Sequence, residues 1–127
     1  MGDAASAGVV PKRVLIVDDD PDQVATFAEL LRLMGHQVEY ATNPLYALTM
    51  ARDFHPQFIF LDIGLPYMDG YATLARFQTH FRGARFFAIS GRSPEEEERR
   101  CRDAGFEAYF AKPVDPAVIE RLLASGA

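Results

Sequence analysis

The chain has 127 residues, 49% of them apolar and 24% charged, the size and composition of one ordinary globular domain with room for a full core. Its formal net charge is -5 and no basic block of the kind that grips a phosphate backbone interrupts it, which excludes direct nucleic-acid binding as an expectation. No apolar run approaches the roughly 18 residues of a membrane span, and the start, MGDAASAGVV, lacks the basic and apolar regions of a secretory signal, so residues 1–11 read as a flexible lead-in. The single cysteine, Cys101, has no internal partner and reads as a structural thiol in a reducing, cytoplasmic setting.

Taken in order, residues 14–17 (VLIV) form an unbroken aliphatic run ended by Asp18, Asp19 and Asp20, which predicts a central strand. Asp20 and Pro21 then open a helix, with Gln23 placed for a capping box, an apolar stripe through Val24, Phe27, Ala28 and Leu31, and Gly35 as its stop. Residues 38–41 predict a second strand whose mixed polarity suits a sheet edge. Asn43-Pro44 starts a second helix that ends before His55-Pro56. Residues 58–61 (FIFL) are too few for a helix and apolar on both faces, as in a strand buried between two layers, and Asp62 follows at once. A loop through Ile63, Gly64, Leu65 and Pro66 leads to Asp69, the cap of a third helix carrying Leu74, Phe77 and Phe81 and broken by Gly83. Residues 86–89 form a fourth strand ending in Ser90-Gly91. Ser93-Pro94, with Glu96 for a capping box and an acidic first turn, opens a fourth helix that Gly105 ends. Residues 108–111 form a fifth strand, Lys112-Pro113 follows, and Asp115-Pro116 starts a last helix with Val118, Ile119, Leu122 and Leu123 on its apolar side.

Five strands alternating with five helices over short connections imply a doubly wound α/β fold: a parallel sheet with helices on both faces. Parallel strands end on a common rim, where such folds place their ligands. Asp18, Asp19, Asp62, Ser90 and Lys112 all follow or end strands and therefore converge there. Taken alone, Asp62 also reads as a solvated loop acid. Three crowded carboxylates repel unless one is protonated or a cation is bound, and hard oxygen ligands suit Mg²⁺ (or Mn²⁺), which favours phosphate as a remaining partner. A lysine and a hydroxyl beside them suit phosphoryl oxygens, since phosphoryl transfer needs chiefly positioning and charge compensation. Asp62, central among the acids, is the best nucleophile, and Asp18 and Asp19 read as metal holders.

The segments IVDDDPD, FLDIGLPYMDG, AISG and GFEAYFAKPV are together similar, in order and spacing, to the receiver domain of two-component response regulators, over residues 12–124, with 125–127 left as a tail. The resemblance implies a CheY-like, flavodoxin-like (βα)5 fold with strand order 2-1-3-4-5. It makes Asp62 the phosphoacceptor for a histidine kinase or histidine phosphotransfer protein. Asp19, Asp62 and the Gly64 backbone carbonyl would coordinate Mg²⁺, with Asp18 acting largely through water. Lys112 would bind a phosphoryl oxygen, Ser90 occupies the switch Ser/Thr place, Tyr109 matches the switch aromatic, and the Lys112–Pro113 bond is cis in the family. Phosphorylated Asp62 would then draw in Ser90, let Tyr109 turn and change the surface of the fourth helix, fifth strand and fifth helix, where a downstream partner or a second copy would bind. Tyr109 also reads simply as a half-buried strand aromatic.

Gly64 and Arg92 hold the positions that tune the phosphate's lifetime in the family. Gly64 offers no side-chain shield, while Arg92 reads either as a contact to the phosphoryl group or an acid, or as a side chain in solvent. The chain reads as a signalling domain that catalyses only its own phosphorylation and dephosphorylation, standing alone or separated from a protein of hybrid histidine kinase type. Three rival readings exist. Asp18, Asp20 and Asp22 with Glu29 imitate an EF-hand loop, but Gln23 stands where the loop needs Gly and Pro21 lies within it. A haloacid-dehalogenase-like phosphatase would carry its nucleophile after the first strand, and a degenerate, binding-only receiver would lack an acid or the lysine. His36, His55 and His80 read as packing or surface residues.

Overall fold

The apolar runs become strands and the capped segments helices: β1 (Arg13–Val17), α1 (Pro21–Leu33), β2 (Gln37–Ala41), α2 (Pro44–Phe54), β3 (Phe58–Asp62), α3 (Gly70–His80), β4 (Arg85–Ser90), α4 (Pro94–Ala104), β5 (Ala108–Ala111) and α5 (Pro116–Ser125). In the computed structural model, which describes residues 10–64, 69–91 and 94–125 apart from the side chains at 94–96 and 125, the strands form one parallel sheet in the order β2-β1-β3-β4-β5. The predicted lead-in up to residue 9, the loop residues Leu65 and Pro66, the lifetime position Arg92, and the caps at Ser93 and Glu96 lie outside what is described. Val17 pairs with Ala41 on one side and Leu61 on the other, Asp62 with Ile89, and Ser90 with Ala111, so each of the five strands finishes within a residue of its neighbour.

Burial follows strand position. Every residue of β3 is buried, whereas β2 alternates and β5 is half-exposed, as the two outer strands should be. On one face α1 and α5 bring Val24, Ala28, Leu31, Ile119 and Leu123 against Val14, Ile16, Phe60 and Ile89. On the other, α2, α3 and α4 bring Ala47, Ala51, Leu74, Phe77 and Cys101 against Leu15, Val17, Ile59, Leu61 and Ala88. Phe60 is the hub of the first face, with the Phe27 ring edge-on at 5.9 Å and the Phe87 ring stacked at 5.2 Å. Each such fully buried side chain stabilises the fold by about 1.5–3 kcal/mol through loss of apolar surface to water.

The helix ends match the sequence with two exceptions. Asp20 accepts the Asp22 and Gln23 N–H groups and Asn43 accepts that of Tyr46, while α1 closes with paired bonds from Gly35 N–H to Arg32 O and His36 N–H to Leu31 O. The capping box expected at Gln23 is not reciprocal: the Asp20 N–H goes to Asp18 Oδ1 at 3.1 Å, a nearer and charged acceptor. Also, α3 stops at His80 and Phe81 becomes its cap, with φ −131° and ψ 65°. The Phe81 ring packs on Phe77 at 5.9 Å and the Ala84 N–H bonds back to Phe81 O, so the turn is made before Gly83.

At the opposite end of the sheet from the acids, the buried His36 ring accepts the Lys12 N–H at its Nδ1, 3.0 Å away, and so carries its own proton on Nε2. Burial, and less strongly Lys12, hold this imidazole below its ordinary value, against a smaller upward pull from Glu120. The unfolded chain takes up a proton near pH ~6.5 that the folded state resists. Stability is therefore complete above that pH and falls as pH drops from about 6.5 toward the lower folded-state value. Urea midpoints compared between about pH 7.5 and about pH 5 should decline more steeply for the wild type than for His36→Gln.

Candidate functional site

β1 and β3 are neighbours at the point where the strand order reverses, and each leads into a buried carboxylate: Asp18 is 3% and Asp62 4% exposed. Lys112, following β5, reaches across the rim and places its Nζ 2.7 Å from Asp62 Oδ2 and 2.9 Å from Asp18 Oδ2. The remaining oxygens are held by the backbone, Asp62 Oδ1 accepting the Gly64 N–H at 2.8 Å and Asp18 Oδ1 that of Asp20. Each acid is thus fixed twice, once by a loop amide and once by the shared ammonium. Asp18, given a water-mediated part by the family resemblance, makes a direct ion pair with this lysine.

Burial pushes the Asp62 carboxyl above its ordinary value, and the bonds from Lys112 and Gly64 offset only part of that, with Asp18 adding to the rise. Burial alone would lower Lys112, but its bonds to Asp62 and Asp18 outweigh it and hold the ammonium above its ordinary value. Asp19 completes the cluster: ligand oxygens of Asp18, Asp19 and Asp62 lie within 4.8 Å of one another, the one such grouping among the described residues. An all-oxygen donor set whose charge is already drawing a cation, here the Lys112 Nζ, fits Mg²⁺.

Ser90, the last residue of β4, is fully buried. Its backbone O accepts the Lys112 N–H at 2.9 Å, and its side chain is hydrogen-bonded to the half-buried Tyr109 of β5. The Lys112–Pro113 peptide bond is cis. Gly64 matters for what it lacks, since a Cβ there would stand 3.3 Å from Asp62 Oδ1 and 3.4 Å from Ser90 Oγ, inside the space where groups on Asp62 must fit. Gly70 imposes a further constraint. A Cβ at that position would meet Ile63 Cγ2 at 2.7 Å, so only glycine lets the start of α3 lie against the loop that follows Asp62. A glycine as the first residue of a helix, where it is a poor former, was the available signal.

The sequence matches the response regulator receiver domain over residues 14–124. The chain belongs to that family. Receivers are signalling domains of two-component systems, and relatives of this one include the polar-differentiation response regulator DivK of Brucella anthropi, 31% identical over 116 residues that cover 89% of this chain and 94% of DivK. The transcriptional regulatory protein PrrA of Mycobacterium bovis is 34% identical over 106 residues, 84% of this chain and 46% of PrrA, so this receiver spans under half the length of that relative. Among solved structures, a CheY-like response regulator receiver domain protein from Methanospirillum hungatei superposes with a TM-score of 0.78 at 29% identity, covering 89% of this receiver and 91% of that chain. The flavodoxin-like order 2-1-3-4-5 is common to CheY-like receivers and to the sheet described above.

Two buried carboxylates and one ammonium make Lys112 the charge on which this rim depends. Replacing it by Met leaves both acids buried without their cation, a loss of about 3–5 kcal/mol near neutral pH. In that variant Asp62 loses the ammonium that offsets its burial and binds a proton still more tightly folded than unfolded, so the deficit should shrink as pH falls toward about 5. Chemical denaturation of the receiver and Lys112→Met at the two pH values checks both the size and the direction.

Proposed function

We propose that this receiver is a phosphorelay acceptor in which Asp62 takes a phosphoryl group from a phosphohistidine on a kinase or histidine phosphotransfer protein. The observation that carries the reading is the setting of Asp62: buried at the mouth of the sheet, oriented by the Gly64 amide, and within reach of Asp18, Asp19, Lys112 and Ser90 together. An Asp62 carboxylate oxygen attacks phosphorus in line, the new O–P bond forming as the P–N bond breaks and its electron pair leaves on the imidazole. Lys112, already poised over Asp62, moves its Nζ from the carboxylates to a phosphoryl oxygen. Mg²⁺, held by Asp19, Asp62 and the Gly64 carbonyl with Asp18 acting through water, would neutralise charge on the phosphoryl oxygens. Arg92, with Gly64, would set how long the acyl phosphate survives.

A landing surface for the donor lies beside the acids. α1 and the loop after β5 enclose a groove of about 560 Å³ lined by Gln23, Phe27, Leu30, Pro113 and Val114, with Asp18 and Lys112 at its edge. Its apolar walls suit the helices of a phosphotransfer protein, and the adjoining acids would receive the phosphohistidine ring edge. After transfer, Ser90 turns its hydroxyl to the new phosphoryl oxygens, releases Tyr109, and the α4-β5-α5 surface changes for a downstream protein or a second copy. The buried free thiol of Cys101 accords with a cytoplasmic site of action.

Intact mass after incubation with acetyl phosphate tests the reading. One phosphoryl adduct is expected, dependent on Mg²⁺, labile to hydroxylamine and absent in Asp62→Asn, while Ser90→Ala should still form it. An adduct that persists in Asp62→Asn would remove Asp62 from its role.

A further inference from the structure

Helix α4 is held in an unusual way. Its sequence, PEEEERRCRDA, supplies one buried apolar side chain among those described, Cys101, so little apolar surface anchors it. Its side chains converge instead on a residue of another helix. The Tyr71 hydroxyl, from the first turn of α3, donates to Glu97 Oε2 at 2.6 Å and lies 3.7 Å from Cys101 Sγ. The Arg100 guanidinium stands 4.4 Å over the Tyr71 ring, and the Phe106 ring meets it edge-on at 6.2 Å. One tyrosine is thus contacted by Glu97, Arg100 and Cys101 of α4 and by Phe106, two residues past its end.

The same contacts lead back to the phosphorylation site. Tyr109 is hydrogen-bonded to Ser90 and, like Tyr71, packs against the apolar cluster that holds Cys101 and Phe106. Tyr71 and Tyr109 therefore share one apolar cluster with Cys101 of α4, and Tyr109 joins that cluster to the site through Ser90. We propose that Tyr71 is the tether that keeps α4 in its resting position, and that movement of Tyr109 on phosphorylation loosens that grip through the apolar cluster the two tyrosines share.

This is a positioning role, resting on the acceptor reading given above. Burial first, then the bond to Glu97, pushes the Tyr71 phenol well above its ordinary value, so it remains a donor across the physiological range. A short bond from a neutral hydroxyl to a carboxylate is among the stronger side-chain hydrogen bonds, and a helix with so few apolar contacts has little else to keep it closed.

Hydrogen–deuterium exchange over α4 (Pro94–Ala104) tests the proposal in wild type, Tyr71→Phe and Glu97→Gln, each with and without phosphorylation by acetyl phosphate and Mg²⁺. Without phosphorylation, Tyr71→Phe is expected to speed α4 exchange on the order of tenfold, with α1 and α5 unchanged. Phosphorylated wild type should match that faster exchange, and phosphorylated Tyr71→Phe should gain nothing further; a purely structural tyrosine would add the same increment in both states. Exchange in α4 unaltered by Tyr71→Phe, or equally raised in both states, would overturn the tether. The mass adduct on Asp62 is read in the same samples. Its absence from wild type refutes the acceptor reading, and with it the release step, whatever α4 does. An adduct present with α4 insensitive to Tyr71→Phe refutes the tether alone.

Discussion

Two carboxylates buried side by side on neighbouring strands cannot both stay ionised without a cation between them, and Lys112 is that cation. Its Nζ lies 2.7 Å from one acid and 2.9 Å from the other, in a setting where water screens little of the charge. The arrangement is held ready for exchange. A group that brings its own charge to Asp62, a phosphoryl group above all, alters the balance that keeps the lysine where it is. The site is therefore poised by the same interaction that makes its acids tolerable.

That interaction depends on topology more than on any local motif. Lys112 follows the outer strand β5 and Asp18 follows β1, three places away across the sheet, yet the lysine and acid side chains meet over the strand ends because all the strands are parallel and share one rim. β3 and β4, which lie between them, are packed by the stacked Phe60 and Phe87 rings, 5.2 Å apart. Gly70 adds a tighter constraint, since the start of α3 can press on Ile63 only where no Cβ intervenes. Core packing and site geometry are in this sense one requirement.

Much of this was legible in the residues. Strands such as VLIV and FIFL announce themselves because a strand buried on both faces is apolar at every position, and the cap-proline pairs mark helix starts because their chemistry is local. The convergence of Asp18, Asp62, Ser90 and Lys112 followed from parallel order alone. What escaped was decided by competition at a distance. Gln23 has the right spacing for a reciprocal capping box, but Asp18 takes the Asp20 N–H first. Phe81 has the right spacing for α3, but it leaves the helix as its cap, its ring packed at a tilt on Phe77. The grip of Tyr71 on Glu97 joins residues 26 apart, and no periodicity in either helix reports it.

The poverty of apolar residues in α4 then acquires a physical sense. A helix anchored like α1, by Val24, Ala28 and Leu31 at 0–1% exposure, moves only if a core is unpacked, which is too large a change for one phosphoryl group to drive. A helix secured by one thiol and a few polar contacts lies within the few kcal/mol that a new charge at the rim can redistribute. Polar contacts are also directional, so a small displacement changes them sharply where dispersion contacts would yield only gradually. The acidic, arginine-rich sequence of α4 is thus better suited to being moved than to being held, and its place next to β5 puts that property where the site can use it.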